Sequence, residues 1–291
     1  GHSRFDVKTD ADALYAWREQ CPELQQIWSK DVSPAQWEGV TFDERGPADG
    51  RVLKLELPLK VLTGELPRDI GKLDALQVLD LDTNQITTLP AEIGKLTSLK
   101  KLDVRGNQLT RVPEQLGGCV ALKELYLHSN QLSEIPAAVG QLIKLRQLLV
   151  NDNQIADLPA DLGRLPDLRT LDLRNNKIGE LPAELSALTG LEYLYLNSNR
   201  LTSLPAEFGR LTSLKELDAR GNQLTSVPGQ LRYMVALQKL NLKRNKLTSV
   251  PEDIGRMIRS DDVEVLLDDD VIVEGKEHAT AMAAAAEAEA E

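Results

Sequence analysis

Apolar residues along most of this chain return in a fixed phase rather than in long runs. In Leu99-Lys100-Lys101-Leu102-Asp103-Val104, Leu102 and Val104 alternate with polar neighbours, which predicts a short strand with one face in a core and the other in water. The block recurs every 23 residues and ends each time in an asparagine, at 84, 107, 130, 153, 176, 199, 222 and 245. Each copy reads L-x-x-L-x-L-x-x-N, with Val or Ala replacing the last Leu in three of them. A second ladder has the same period: Pro67, Pro90, Pro113, Pro136, Pro159, Pro182, Pro205, Pro228 and Pro251, each after an aliphatic residue. Pro90-Ala91-Glu92-Ile93-Gly94 suits one helical turn, with proline at its first position and glycine at its close. The asparagine side chains are expected to turn the chain out of each strand and to bond backbone groups that would otherwise be buried unpaired. No single unit can bury its own leucines, so the units must stack, with parallel strands about 4.8 Å apart.

The ends depart from this pattern. Thr9 and Asp12 form a capping-box pair, and Leu14, Trp17, Cys21 and Leu24 recur at helical spacing, which predicts a helical cap over residues 9–28. Trp17, Trp28 and Trp37 all precede the repeats and are expected in the cap's core. At the other end, a further shift of 23 puts Val263 and Val265 at the strand leucine positions and Asp268 at the asparagine position. The organisation read from the sequence is a helical cap (1–50), a repeat array (51–259), a degenerate capping repeat (260–274) and an acidic Ala/Glu-rich tail (275–291).

Between prolines the units read L-P-x-x-I-G-x-L, and over roughly residues 50–270 they resemble the leucine-rich repeat family. The 23-residue unit is similar to that of the intracellular Ras-group proteins. Trp37-Glu38-Gly39-Val40-Thr41-Phe42-Asp43 and Leu62-Thr63-Gly64-Glu65-Leu66-Pro67 resemble the cap and first repeat of plant-type members, in which a cysteine usually stands where this chain has Phe42. The resemblance implies an α/β leucine-rich repeat solenoid, curved, with a parallel β-sheet on its concave face and short helical turns on its convex face. It also implies a non-enzymatic scaffold that binds a protein partner through the concave face, in intracellular signalling or assembly. A small GTPase or a phosphatase complex is the kind of partner the family suggests. The alternative is a receptor-like recognition ectodomain that binds a peptide or an extracellular protein.

Composition narrows the chemistry. From Asp261 onward there are eleven acids and one base, so nearly all of the net charge of -11 is C-terminal. The balanced array lacks the basic stripe that nucleic acid requires. The histidines, His2, His128 and His278, are scattered and form no metal-ligand spacing. No cofactor, metal site or enzyme activity is expected, and no apolar run approaches the ~20 residues of a membrane span. Cys119 occupies a leucine position and is expected to be a buried hydrophobe. With Cys21 as the only other cysteine and no cap disulfide, the sequence favours a reducing compartment, the cytoplasm. A monomer is expected.

Function is then expected on the exposed strand face. Tyr126, His128, Leu149, Tyr193 and Tyr195 are the expected partner-binding centre, with Asn151 and Asn197 beside them and Arg105, Arg174 and Arg220 as the polar surround. Repeat architecture does not require aromatic residues there, although tyrosine also suits β-strands in its own right. The pairs Asp103/Arg105, Asp172/Arg174 and Asp218/Arg220 are expected as exposed, mutually neutralising charges.

Overall fold

The computed structural model describes residues 6–275, which form two compact units divided between Gln154 and Ile155. The tail expected beyond Gly275, and His2 and His278, lie outside the described residues. The first unit holds helices α1 (Asp10–Gln20), α2 (Pro22–Ile27) and α3 (Gly46–Asp49). Its strands are β1 (Val40–Phe42), β2 (Val52–Glu56), β3 (Thr63–Glu65), β4 (Val78–Asp80), β5 (Gln85–Thr88), β6 (Lys101–Asp103), β7 (Glu124–Tyr126) and β8 (Gln147–Leu149). β1 runs antiparallel to β2, and β2, β4, β6, β7 and β8 follow in parallel order. Leucine stands opposite leucine throughout: Leu79 faces Leu102, Leu102 faces Leu125, and Leu125 faces Leu148, all fully buried. The second unit repeats the plan with β9 (Thr170–Asp172), β10 (Tyr193–Tyr195), β11 (Glu216–Asp218), β12 (Lys239–Asn241), β13 (Ser249–Val250), α4 (Glu252–Arg259), β14 (Glu264–Leu266) and β15 (Ile272–Val273). Within it β9, β10, β11, β12 and β14 are parallel neighbours.

The asparagine ladder behaves as expected. Asn130 Nδ2 donates to the carbonyls of Leu127 and Val104, both at 3.0 Å, and Oδ1 accepts from the Leu109 N–H at 3.0 Å. One side chain thus satisfies its own turn and that of the preceding repeat, in a site 7% exposed. The residue before it is left-handed, as at Thr83, Ser129, Asp152, Asn175, Ser198 and Arg244.

Three expectations are corrected. The cap is two helices rather than one, broken at Cys21, because Pro22 drives the residue before it out of the helical region; Cys21 has φ -128° and ψ 98°. The ladder prolines stand just outside their turns with extended backbone (Pro90, φ -74° and ψ 157°), and the turns are five-residue 3₁₀ segments such as Ala91–Lys95. The terminal strand is displaced by two residues from the 23-residue register: Leu240 faces Val265, and Asp268 accepts from the Arg244 N–H at 3.0 Å instead of replacing a ladder asparagine. The cause is α4, eight residues of α-helix where other repeats use a five-residue turn. Its rise of about 1.5 Å per residue, against about 2.0 Å for 3₁₀, takes more chain to span the repeat.

The cap's core is aromatic. Trp28 and Trp37 stack at 4.9 Å, and Trp17 meets Trp28 edge-on at 5.8 Å. Two of the three buried indoles donate to carbonyls, Trp28 Nε1 to Glu38 at 3.0 Å and Trp37 Nε1 to Ser29 at 2.8 Å. Thr9 and Asp12 make the reciprocal capping box at the start of α1. Asp10 joins the cap to the array, accepting from the Val52 N–H at 2.8 Å and from Arg51 Nε at 3.0 Å.

Candidate functional site

Strand residues that alternate with the buried leucines form one face of each unit, and the expected centre divides between the two. Tyr126, His128, Leu149, Asn151 and Arg105 belong to the first unit; Tyr193, Tyr195, Asn197, Arg174 and Arg220 belong to the second.

In the first unit Tyr126 and Leu149 are in register on β7 and β8, and both are half-buried rather than open to solvent. The Tyr126 hydroxyl donates to Gln147 Oε1 at 2.7 Å, its ring meets His128 edge-on at 6.0 Å, and Lys101 Nζ lies 5.5 Å from its centroid. Burial raises the Tyr126 pKa. Asn151 is a correction: it is 5% exposed, with Nδ2 donating to Asp152 at 2.7 Å, and offers a partner little surface.

Beside this cluster the sequence reading missed an acidic group. Carboxylate oxygens of Asp80, Asp82 and Asp103 lie within 4.8 Å of one another. Adjacent strands put them together, since Asp80 faces Asp103 across β4 and β6 and Asp82 follows two residues on, which the 23-residue register alone could have revealed. Their geometry could offer three oxygens to a cation. Arg105 already supplies a positive charge, 2.9 Å from Asp82 and 3.7 Å from Asp103. That guanidinium holds Asp82 below the usual carboxylate range, whereas burial pushes Asp103 up to about 6, with Asp80 and Asp82 adding to the rise. Asp103 and Asp172 are 2% and 3% exposed, so two of the three Asp-x-Arg pairs are half-sunken rather than the surface pairs expected.

In the second unit Tyr193 and Tyr195 project from one side of β10 with parallel rings 6.4 Å apart. Arg174 lies 5.9 Å from the Tyr195 centroid while holding Asp172 at 3.1 Å. Arg220 is exposed, and among the described residues its guanidinium has no ion-pair partner; its N–H donates to Asp218 at 3.0 Å. Asn197 is the second correction, buried at 7% exposure. Asn151 and Asn197 misled because their lane is read as surface, whereas short polar side chains at the strand end lie back against the turn.

Cys119 is fully buried, donates to the Ile93 carbonyl at 3.1 Å and has its thiol pushed up to about 12 by burial, so it is no nucleophile.

A family profile described as a leucine-rich repeat region matches residues 51–151 and 129–253. The chain belongs to the leucine-rich repeat family. A solved leucine-rich repeat protein of Leptospira interrogans is 39% identical, with a TM-score of 0.65, over 69% of this chain and 51% of that one. The ectodomain of the Arabidopsis thaliana receptor kinase GASSHO1/SCHENGEN3, solved in complex with CASPARIAN STRIP INTEGRITY FACTOR 2, is 31% identical, with a TM-score of 0.68, over 84% of this chain and 33% of that one. Phytosulfokine receptor 2 of Arabidopsis thaliana is 40% identical over 62 residues, 21% of this chain. The chain spans 6% of that receptor's length and about half or less of the two structures. Leucine-rich repeat domains are interaction scaffolds that bind protein or peptide partners. No helix among the described residues is long and apolar enough to cross a membrane.

Proposed function

We propose that this leucine-rich repeat chain is a non-enzymatic recognition scaffold that holds an extended protein or peptide segment on its strand face. The observation that carries the reading is the Tyr193–Tyr195 pair, two parallel rings left half-exposed beside Arg174 where the repeat needs no aromatic residue. Tyrosine and arginine together supply large contact area, stacking and hydrogen-bond donors at low conformational cost. Tyr126 with Lys101 and His128 offers the same chemistry in the first unit. The cytoplasm is the compartment we favour, on the strength of two cysteines, Cys21 and Cys119, that are buried and unpaired. A role in intracellular signalling or assembly, with a small GTPase or phosphatase complex as partner, goes with that compartment.

A second reading, a receptor-type ectodomain that takes a peptide, is favoured by the likeness to ectodomains solved with peptide ligands, such as that of the Arabidopsis receptor kinase HAESA with a peptide hormone. Affinity capture from native extract, with the unaltered chain beside Y193A/Y195A and Y126A/L149A variants that retain their circular-dichroism melts, tests the strand-face reading. A captured protein lost with either variant supports it. Identical captures from all three chains would refute it, and fractionation of the captured partner between cytosol and cell exterior decides between the two compartments.

A further inference from the structure

The 3₁₀ turns of the second unit lie away from the strand face, and Ala183–Ala187 differs in two ways from the turns on either side of it. At the fourth position most turns place glycine, as at Gly94, Gly163 and Gly209, where a Cβ would collide with the carbonyl of the next turn (Gln115, Glu184 and Gln230 respectively), although Gly229–Tyr233 has Arg232 there. The turn Ala183–Ala187 carries Ser186 at that position. The turns on either side also set an acid three residues before a base, Asp161 before Arg164 and Glu207 before Arg210, and the first of these closes an ion pair at 3.1 Å. In the middle turn the acid is Glu184, but the base position holds Ala187.

The result is a depression of about 720 Å³ bounded by these three turns. Ser186 lies in its lining, 6% exposed, and its hydroxyl has no hydrogen-bond partner among the described residues. The hydroxyl oxygen keeps contact with solvent and can accept from a donor placed in the cavity. Glu184 likewise has no ion pair among the described residues, and Glu207 stands one repeat along in the same row. Asp161 has neutralised Arg164, so the unmatched charge facing the cavity is two carboxylates against the single guanidinium of Arg210.

We propose that this cavity is a docking pocket for one basic side chain, an arginine or lysine presented by a partner protein. Its ammonium or guanidinium enters the place vacated at Ala187, pairs with Glu184 and donates to the Ser186 hydroxyl, while its methylenes lie on Ala183 and Ala187. The site is separate from the strand face, and its success or failure is independent of that reading.

The test is an NMR titration of the full chain, isotopically labelled, with N-acetyl-arginine amide and N-acetyl-lysine amide as probes. N-acetyl-citrulline amide and N-acetyl-glutamate amide are the uncharged and acidic controls. Saturable shifts confined to amides of residues 160–164, 183–187 and 206–210 are expected with the basic probes, with a Kd on the order of millimolar. Glu184→Gln should weaken binding about fivefold, the upper range for one exposed ion pair. Ala187→Arg, which fills the vacancy from within the chain, should abolish binding; both positions are exposed, and unchanged thermal melts establish that the variants fold. Absence of saturable shifts, equal binding of citrulline, a preference for the glutamate probe, or undiminished binding to Ala187→Arg would each overturn the proposal.

Discussion

At Asp103 burial and charge pull in opposite directions: the carboxyl is 2% exposed and its pKa is pushed up to about 6, against an ordinary value of 3.8. Between those two values the folded state holds a proton that the unfolded state has released, so stability from this group rises as pH falls from 7 toward 4. The full effect is about 3 kcal/mol. Asp103→Asn keeps an oxygen for the Arg105 N–H and removes the ionisation. Denaturant melts at pH 7 and pH 4.5 should therefore show the unaltered chain gaining on the variant at the lower pH; parallel changes would mean that Asp103 titrates normally. The ladder asparagines operate at the same scale with the opposite sign. Asn130→Ala leaves the Leu109 N–H unpaired in a nearly closed site and takes one of two donors from each carbonyl, since Val104 keeps Asn107 and Leu127 keeps Asn153. A loss of about 2 kcal/mol is expected in urea melts, and a loss below about 1 kcal/mol would show that water enters the turn in its place.

At the scale of the element, the repeat is held by what each turn leaves out. Gly94 sits where a Cβ would strike the Gln115 carbonyl, whereas a Cβ at Gly179 would meet nothing within 4 Å. Gly94→Ala should cost about 1–3 kcal/mol through overpacking. Gly179→Ala should be neutral or stabilising by about 0.5 kcal/mol, because it restricts only the unfolded chain. Thermal melts of the two single variants make the comparison, and a similar cost for both would put the effect in the backbone rather than in the contact between turns. The periodicity that marks Gly94 also made the strands and the asparagine bonds legible in the sequence, and local spacing did the same for the capping box, since each depends on residues close in the chain or one period away. What could not be read there depends on local geometry. Pro22 decides where the cap helix breaks, and α4 sets the terminal register through its rise per residue. The burial of Asn151 and Asn197 depends on how a short side chain folds against its turn. Of the candidate site, the tyrosines, Leu149 and the arginines stand on the face where alternation put them, half-buried or exposed, while the Asp80–Asp82–Asp103 group needed adjacent strands to be considered together.

For the molecule as a whole, order is supplied locally. Each strand bonds its neighbours and each asparagine reaches back one repeat, so a perturbation should weaken the chain near its origin before it weakens it elsewhere. The cap offers a clean place to test this in the first unit. Trp28 is fully buried between Trp17 and Trp37 and donates to the Glu38 carbonyl just before β1, so Trp28→Ala removes the centre of the structure that covers the first parallel strand. Truncation of a buried tryptophan costs about 3–5 kcal/mol. In a cooperative globule that loss would lower amide protection everywhere at once. In a stacked array it should fall mainly on α1, β1 and β2, whose tie to the cap runs through Asp10 and Arg51, and leave β7 and β8 near their original protection. Hydrogen exchange followed by mass spectrometry on the full chain separates the two outcomes. A graded loss from β1 to β8 would make the cap a local cover, so that surface changes to the strand face around Tyr126 can be made without unsettling the cap. An equal loss at both ends would show that the unit folds as one block, and every strand-face variant would then need its own stability measurement before a change in binding could be attributed to lost contact.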